Sequence, residues 1–424
     1  MKYRLLMLQI LFVVSISLFA NGQNEVTQDE NVTLTWWSMW LEDEAQADVV
    51  RSAVSAYEDD NPDVTVDVQF KGREVRNMII AALEAGEEID ITDMDPAVAT
   101  LNYSDYFLPL DEYLTDDILG ILPNSLVYQD LTPQGKVLAI PTAPYIVAVF
   151  YNKDHFKEAG ISSEPETWDE FLDVCEKLKS IGKYPITFDS DAYTDVLLGY
   201  GMQRAVGYEG FHDAMNDKTG ESWKDSRVLA MAEAFETLWD DGNWDPNTPQ
   251  YLFPAGQQEL ALGNVTMYVN GSWFPSEVLP VTGTDFNWGT FSFPMIPEGV
   301  SNNHGLMMGT NGSVIVAKSL NPSEAFELIS YTISEDIQKE YVEKVGGLPV
   351  HVDVNPQGPL VDASKLVVAS DFGMGWAAGL YDAGELAGNV FIPTFRDLVL
   401  GTISAEDFVL KMADGTAEFY STTE

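Results

Sequence analysis

The stretch IVAVFYNKDHFKEAGISSEPETWDEFLDVCEKLKSIG, residues 146–182, decides the fold class. Its apolar opening, from Ile146 to Tyr151, reads as a buried strand. Asn152-Lys153-Asp154 then enters a short helix that Gly160 stops. After a proline-bearing loop, the Thr167 hydroxyl can cap a second helix while Glu170 reaches back to it, a capping box. Phe171, Val174, Cys175, Leu178 and Ile181 fall on one face of that helix, and Gly182 ends it. A strand followed by amphipathic helices is the unit from which helix-covered sheets are built.

Working outward, the same unit recurs. Val32 to Trp37 reads as a strand, and Ala45, Val49, Ala53 and Tyr57 mark a helix that ends before Asn61-Pro62. Val64, Val66, Val68 and Phe70 alternate as a second strand, and Val75, Met78, Ile79, Ala82 and Leu83 mark a helix stopped at Gly86. Residues 89–94 read as a third strand. Farther on, 184–188, 265–269 and 313–317 read as strands, and 228–239, the segment after Asn321-Pro322, and 404–420 read as helices. Alternating strands and helices predict an α/β protein with mostly parallel sheets. No long flexible linker separates two halves.

The first residues predict export. Lys2 and Arg4 precede an almost wholly apolar run to Phe19, and Ala20-Asn21-Gly22 is a small-x-small cleavage site. This is the pattern of a Sec signal peptide, residues 1–22, followed by a polar tether, 23–31. No cysteine stands at the cleavage site for lipid attachment, which points to a protein free in the periplasm. Cys175, the sole cysteine, excludes an internal disulfide and reads as a buried structural thiol. With 67 acidic against 22 basic residues the net charge is −45, which excludes nucleic acid and anionic lipid as partners. The acids read as a solvated surface; a cationic ligand is the alternative.

The pattern YNKD-x-F-x-x-AG…P-x-TWDEF across 151–171, with Asn270-Gly271-Ser272-Trp273 and Gly346-Gly347-Leu348-Pro349, resembles the extracellular solute-binding proteins of bacterial ABC importers. The resemblance is to the carbohydrate, maltose-binding-protein-like family 1 branch. It implies the periplasmic-binding-protein fold: two α/β lobes around a ligand cleft, joined by crossovers near 142–145, 297–305 and 345–349. Lobe 1 would be 32–143 plus about 303–345, and lobe 2 about 144–302 plus 346–424. It also implies a monomeric receptor that delivers a sugar or oligosaccharide to permease transmembrane subunits, with no cofactor, no metal and no chemistry of its own.

Ligands of open α/β sheets bind beyond the carboxyl ends of strands. Residues at such ends here are Trp36, Trp37, Trp40 and Glu42 after the first strand, Asp93 and Asp95 after the third, and Tyr145 before the 146–151 strand. Asp191 and Tyr193 follow Phe188, Trp273 follows the 265–269 strand, and Trp376 sits among glycines. Aromatic rings stack on the C–H face of a sugar, and carboxylates bind its hydroxyl rim, as a cleft with few convergent polar groups requires. The expected ligand-binding set is therefore Trp37, Trp40, Glu42, Asp93, Asp95, Tyr145, Asp191, Tyr193, Trp273 and Trp376. Trp36 fits core and site equally, the aspartates could equally cap turns, and Trp168 reads as structural. In the family Trp273 looks like the sugar-stacking position. Two departures leave the sugar's identity open: the loop after the first strand has no Lys or Arg, and Tyr145 stands where relatives can carry a carboxylate.

Enzyme motifs are missing: no GxSxG, HExxH, GxxxxGK[ST] or GxGxxG occurs, and His155, His212, His304 and His351 are scattered. A receptor for a polyol, a peptide or a cationic solute is the first alternative, and a secreted glycosidase, which needs just two carboxylates, the second.

Overall fold

A computed structural model describes residues 31–423 except 129, 301–304 and 371; the expected signal peptide and nearly all of the expected tether lie outside the described residues. Nine strands, β1 (Val32–Ser38), β2 (Val64–Phe70), β3 (Ile91–Met94), β4 (Ala139–Asn152), β5 (Tyr184–Thr187), β6 (Val265–Gly271), β7 (Trp288–Phe291), β8 (Gly305–Ile315) and β9 (Phe372–Met374), occur among these residues. Their order is β2-β1-β3-β8-β4-β6-β5, with β7 also on β4 and β9 on β8.

The first unit follows the hydrophobic periods. β1 pairs in parallel with β2, from Val32↔Val64 to Ser38↔Phe70, and with β3. The helices Ala45–Asp60 and Val75–Ala85 make the connections, the second ending at left-handed Gly86. β5·β6 and β8·β9 are parallel too. The β3·β8, β4·β8, β4·β6 and β4·β7 ladders are antiparallel, so the sheet is mixed.

That mixture comes from two strands much longer than the sequence suggests. The 146–151 run is the second half of a 14-residue β4, whose first half contains Pro141 and Pro144. Proline cannot donate to a ladder, and the register shifts by a bulge between Pro141 and Ala143. β8 likewise begins eight residues before Ser313 and is interrupted by glycines. A Cβ on Gly309 would lie 2.6 Å from the Tyr145 hydroxyl oxygen, and one on Gly312 would lie 2.8 Å from the Ile140 carbonyl. Residues 142–145 of β4 face 309–311 of β8, between the portion of β8 bonded to β3 and the portion of β4 bonded to β6.

β4 also divides the core. Val147, Val149 and Tyr151 enter one cluster with Trp168, Phe235, Phe293, Phe395 and Phe408. Ile146, Ala148 and Phe150 enter another with Tyr268, Phe274 and Trp288, continuous with Leu34, Tyr57 and Ile329. The period of two makes this possible, and each buried Val, Ile or Phe contributes about 1.5–3 kcal/mol.

The opening block is built as read. Asn152 caps the helix Lys153–Glu158 through the Asp154 and His155 N–H groups. Thr167 and Glu170 form both halves of the capping box of Trp168–Ser180. The N–H groups of Glu166 and Thr167 hold the Glu170 carboxyl below the usual range. Trp168 is buried against Phe171, Phe235 and Phe293. Cys175 is buried, and burial pushes its thiol up, away from reactivity. Among the described residues no helix is long and apolar enough to cross a membrane.

Candidate functional site

Four half-buried rings from separated parts of the chain meet beside the middle of β4. The Trp273 and Trp376 rings are stacked, with centroids 5.9 Å apart and planes 19° apart. Tyr145 stands edge-on to both, at 5.7 Å and 64° from Trp273 and at 6.3 Å and 65° from Trp376. Tyr193 lies 6.4 Å from Trp376. Offset and edge-on contacts are those that ring quadrupoles favour.

Each ring has a local reason for its position. Tyr145 is on β4, and Gly309 on the paired strand leaves room for its hydroxyl. Trp273 follows β6, and its ring folds back over Gly271, where a Cβ would collide with the indole. Tyr193 precedes the helix Thr194–Asn216 in a left-handed conformation, φ 61°. Its hydroxyl accepts the Trp273 indole N–H at 3.4 Å. Asp191 is exposed and accepts the Phe253 N–H at 2.8 Å, holding a loop whose ring lies 6.2 Å from Tyr193. The Trp376 indole N–H donates to Asp195 Oδ2 at 2.6 Å, and the Tyr381 hydroxyl donates to the same oxygen at 3.1 Å.

Carboxylates face these rings. Burial, and then the charges of Asp95 and Asp130, push the Tyr145 hydroxyl far above its ordinary range, with Arg76 opposing. Asp95 caps the helix Pro96–Asn102 through the Ala97 N–H at 2.9 Å, and burial pushes its carboxyl up. Burial and the charges of Asp95 and Asp382 push Asp130 up to about 6. Asp382 lies 3.8 Å from His212 Nε2.

The sign of the Asp130 effect is testable. Between about pH 4 and 6 the folded protein keeps a proton on Asp130 that the unfolded chain has released, so the ionised form costs stability as pH rises through that window. Asp130→Asn is expected to exceed the parent in stability at pH 7 by about 1–3 kcal/mol, after allowance for partial exposure, and to show no advantage at pH 4. Urea titrations at both pH values check this; an equal advantage at each would mean that charge repulsion is not the cause.

The model of the bacterial extracellular solute-binding protein family matches residues 52–367. The chain belongs to that family. A multiple sugar-binding protein of Streptococcus mutans is 24% identical over 377 residues, 85% of this chain and 86% of its own. The structure of a chitin oligosaccharide binding protein matches with TM-score 0.71 and 23% identity, over 92% of this chain and 99% of its own. The apo form of RafE from Streptococcus pneumoniae matches with TM-score 0.77 and 18% identity, over 94% and 99%. The two-lobed fold of periplasmic binding proteins is thus shared along almost the whole chain.

In this solute-binding protein, four of the expected residues lie away from the ring cluster. Trp37 is core, 4% exposed against Val75 and Ile79, with the Lys71 ammonium 4.4 Å from its ring centroid. β1 lies between β2 and β3 and is covered on both faces, so Trp36 and Trp37 are both buried. Trp40 is covered by the Arg73 guanidinium at 4.5 Å. Glu42 is exposed, and its backbone carbonyl accepts from Arg51. Asp93 is buried and accepts four hydrogen bonds, from Trp36 Nε1 (3.0 Å), Ser38 Oγ (2.7 Å), the Met39 N–H (3.1 Å) and Ser313 Oγ (3.0 Å). Its carboxylate ties β1, β3 and β8 together. The pocket beside it, lined by Trp36, Trp40, Thr142 and Gln338, has about 40 Å³ of room for water.

Asp195, Asp130 and Asp382 were missing from the expected set. Asp195 is in the first turn of a helix, where aspartate ordinarily caps, and its indole partner is 181 residues away. Nothing local marks it. Asp189 accepts from Tyr268 and Gly256, and Asp245 accepts from Asn247 and Tyr251. Among the described residues no group of three or more His, Cys, Asp or Glu could hold a metal ion.

Proposed function

We propose that the protein is the receptor of a carbohydrate ABC importer, which captures a sugar or oligosaccharide between its lobes and hands it to the permease subunits. The observation that carries this reading is the ring cluster of Tyr145, Tyr193, Trp273 and Trp376 with Asp95 and Asp130 beside it. Ring faces offer affinity to C–H surfaces with few rotors to freeze, and the carboxylates offer acceptors to hydroxyls. The sugar-binding names of the matched relatives support the same ligand class.

In this reading residues 1–22 direct export and the mature chain works as a free periplasmic monomer. Lobe 1 is 32–143 plus about 303–345, and lobe 2 is about 144–302 plus 346–424. Ligand contacts from both lobes favour a closed form, which docks on the permease. The receptor itself makes and breaks no bond. Asp95, Asp130 and Asp382, opposed by Arg76, give some weight to a second reading in which the ligand is cationic.

A thermal-shift screen with neutral saccharides, polyols and polyamines separates these. A saccharide at one hundred times its Kd should stabilise the protein by about 2.7 kcal/mol and be recovered unchanged. Release of reducing ends would sink the receptor reading, and stabilisation by polyamines alone would favour the cationic one.

A further inference from the structure

The two stacked indoles are both anchored at the start of one helix. Tyr193, immediately before Thr194–Asn216, accepts the Trp273 indole N–H. Asp195, two residues on, accepts that of Trp376. The segment Trp376–Ala383 returns to the same helix against steric preference: Ala377 and Ala378 are left-handed at φ 49° and 53°, and Gly379 follows at 78°. Such a run of non-glycine residues persists only where its surroundings hold it. Gly199, one helical turn after Asp195 and on the same face, has no Cβ, and the Ala377 carbonyl occupies that space. Ala377, Ala378 and Leu380 are fully buried.

This packing fixes the backbone of the segment. The Trp376 side chain is half-exposed, and its contacts with the Trp273, Tyr145 and Tyr193 rings are apolar ones that leave it freedom to pivot about the stacking direction. An N–H at the ring edge, bonded to a buried acceptor, removes that remaining freedom. Asp195 is 7% exposed, and its Oδ2 takes the Trp376 and Tyr381 donors together. We infer that Asp195 is the positioning residue of the site, holding Trp376 in register with Trp273 so that the two indoles present one continuous wall to the ligand. This rests on the reading of the ring cluster as the ligand site.

Trp273 and Trp376 are the one tryptophan pair in ring contact among the described residues. The stack should therefore give a far-ultraviolet exciton couplet in circular dichroism that Trp376→Phe removes. Asp195→Asn keeps a side-chain oxygen acceptor and is expected to keep the couplet, with saccharide affinity within about threefold of the parent. Asp195→Ala is expected to lose the couplet and to bind at least about tenfold more weakly. A couplet and affinity unchanged in Asp195→Ala would overturn the proposal, because packing alone would then hold the ring. Should Asp195→Ala not melt cooperatively, the parent protein decides. Its Trp376 indole proton, assigned by its disappearance in Trp376→Phe, should resonate downfield and exchange slowly, and a shift and exchange rate typical of an exposed indole would overturn the proposal. If no saccharide stabilises the parent, the carbohydrate reading fails, while the couplet and the indole resonance still decide the role of Asp195.

Discussion

Trp273→Ala is expected to abolish saccharide-dependent stabilisation while lowering the unliganded stability by about 1–3 kcal/mol. The indole belongs to a half-exposed residue, follows a strand end, and touches the Tyr145 and Trp376 rings. Its loss removes one offset stack and one edge contact from the free protein, each worth about 0.5–1.5 kcal/mol. The Tyr193 hydroxyl that accepts its N–H is not left without a partner, because it also bonds the Asn270 side chain. In the proposed reading the ligand loses far more, since the ring would be one face of its wall. Paired melts with and without saccharide check both halves. A baseline loss above about 4 kcal/mol, the range of a deleted core aromatic, would make Trp273 a core residue and leave the site without its main ring.

Asp93→Ala should have the opposite signature: a large loss of stability whether or not ligand is present. Four donors converge on this buried carboxylate, two of them on each oxygen. Removing the acceptor leaves the Trp36, Ser38, Met39 and Ser313 groups unpaired, each at about 1–3 kcal/mol if left dry. The small adjoining cavity can admit water to some of them, so the expected loss is about 3–5 kcal/mol rather than the full sum. Asp93→Asn keeps one acceptor but turns an amide N–H toward existing donors, and should lose about half as much. Denaturant unfolding at neutral pH measures both. A loss below about 1 kcal/mol in Asp93→Ala would show that the four bonds do not lock β1, β3 and β8.

Much of the scaffold was legible because its causes are local. The Thr167–Glu170 box, the Asn152 cap, the stop at Gly86 and the alternation in β2 each depend on residues a few positions apart. The long strands were not legible in full, because Pro141, Pro144, Gly309 and Gly312 break the local pattern. Those residues are tolerated through the pairing itself: the register shifts after Pro141, and Tyr145 and the Ile140 carbonyl lie close over Gly309 and Gly312.

The site divides in the same way. The strand-end rule led to Tyr145, Tyr193, Trp273 and Trp376, which tertiary packing brings together. Applied to β1 it led to Trp37 as well, since coverage of a strand on both faces depends on its neighbours, β2 and β3, and leaves no mark in β1 itself.

The sequence by itself determined the α/β elements, the family pattern around 151–171 and the acidity. The tertiary structure alone decided which aromatics meet in the half-buried ring cluster and which are core, and it gave Asp93 and Asp195 their hydrogen-bond partners. The reason is range: caps and periodicities act over a turn or two of chain, whereas Trp376 reaches Asp195 across 181 residues and Ser313 reaches Asp93 across 220.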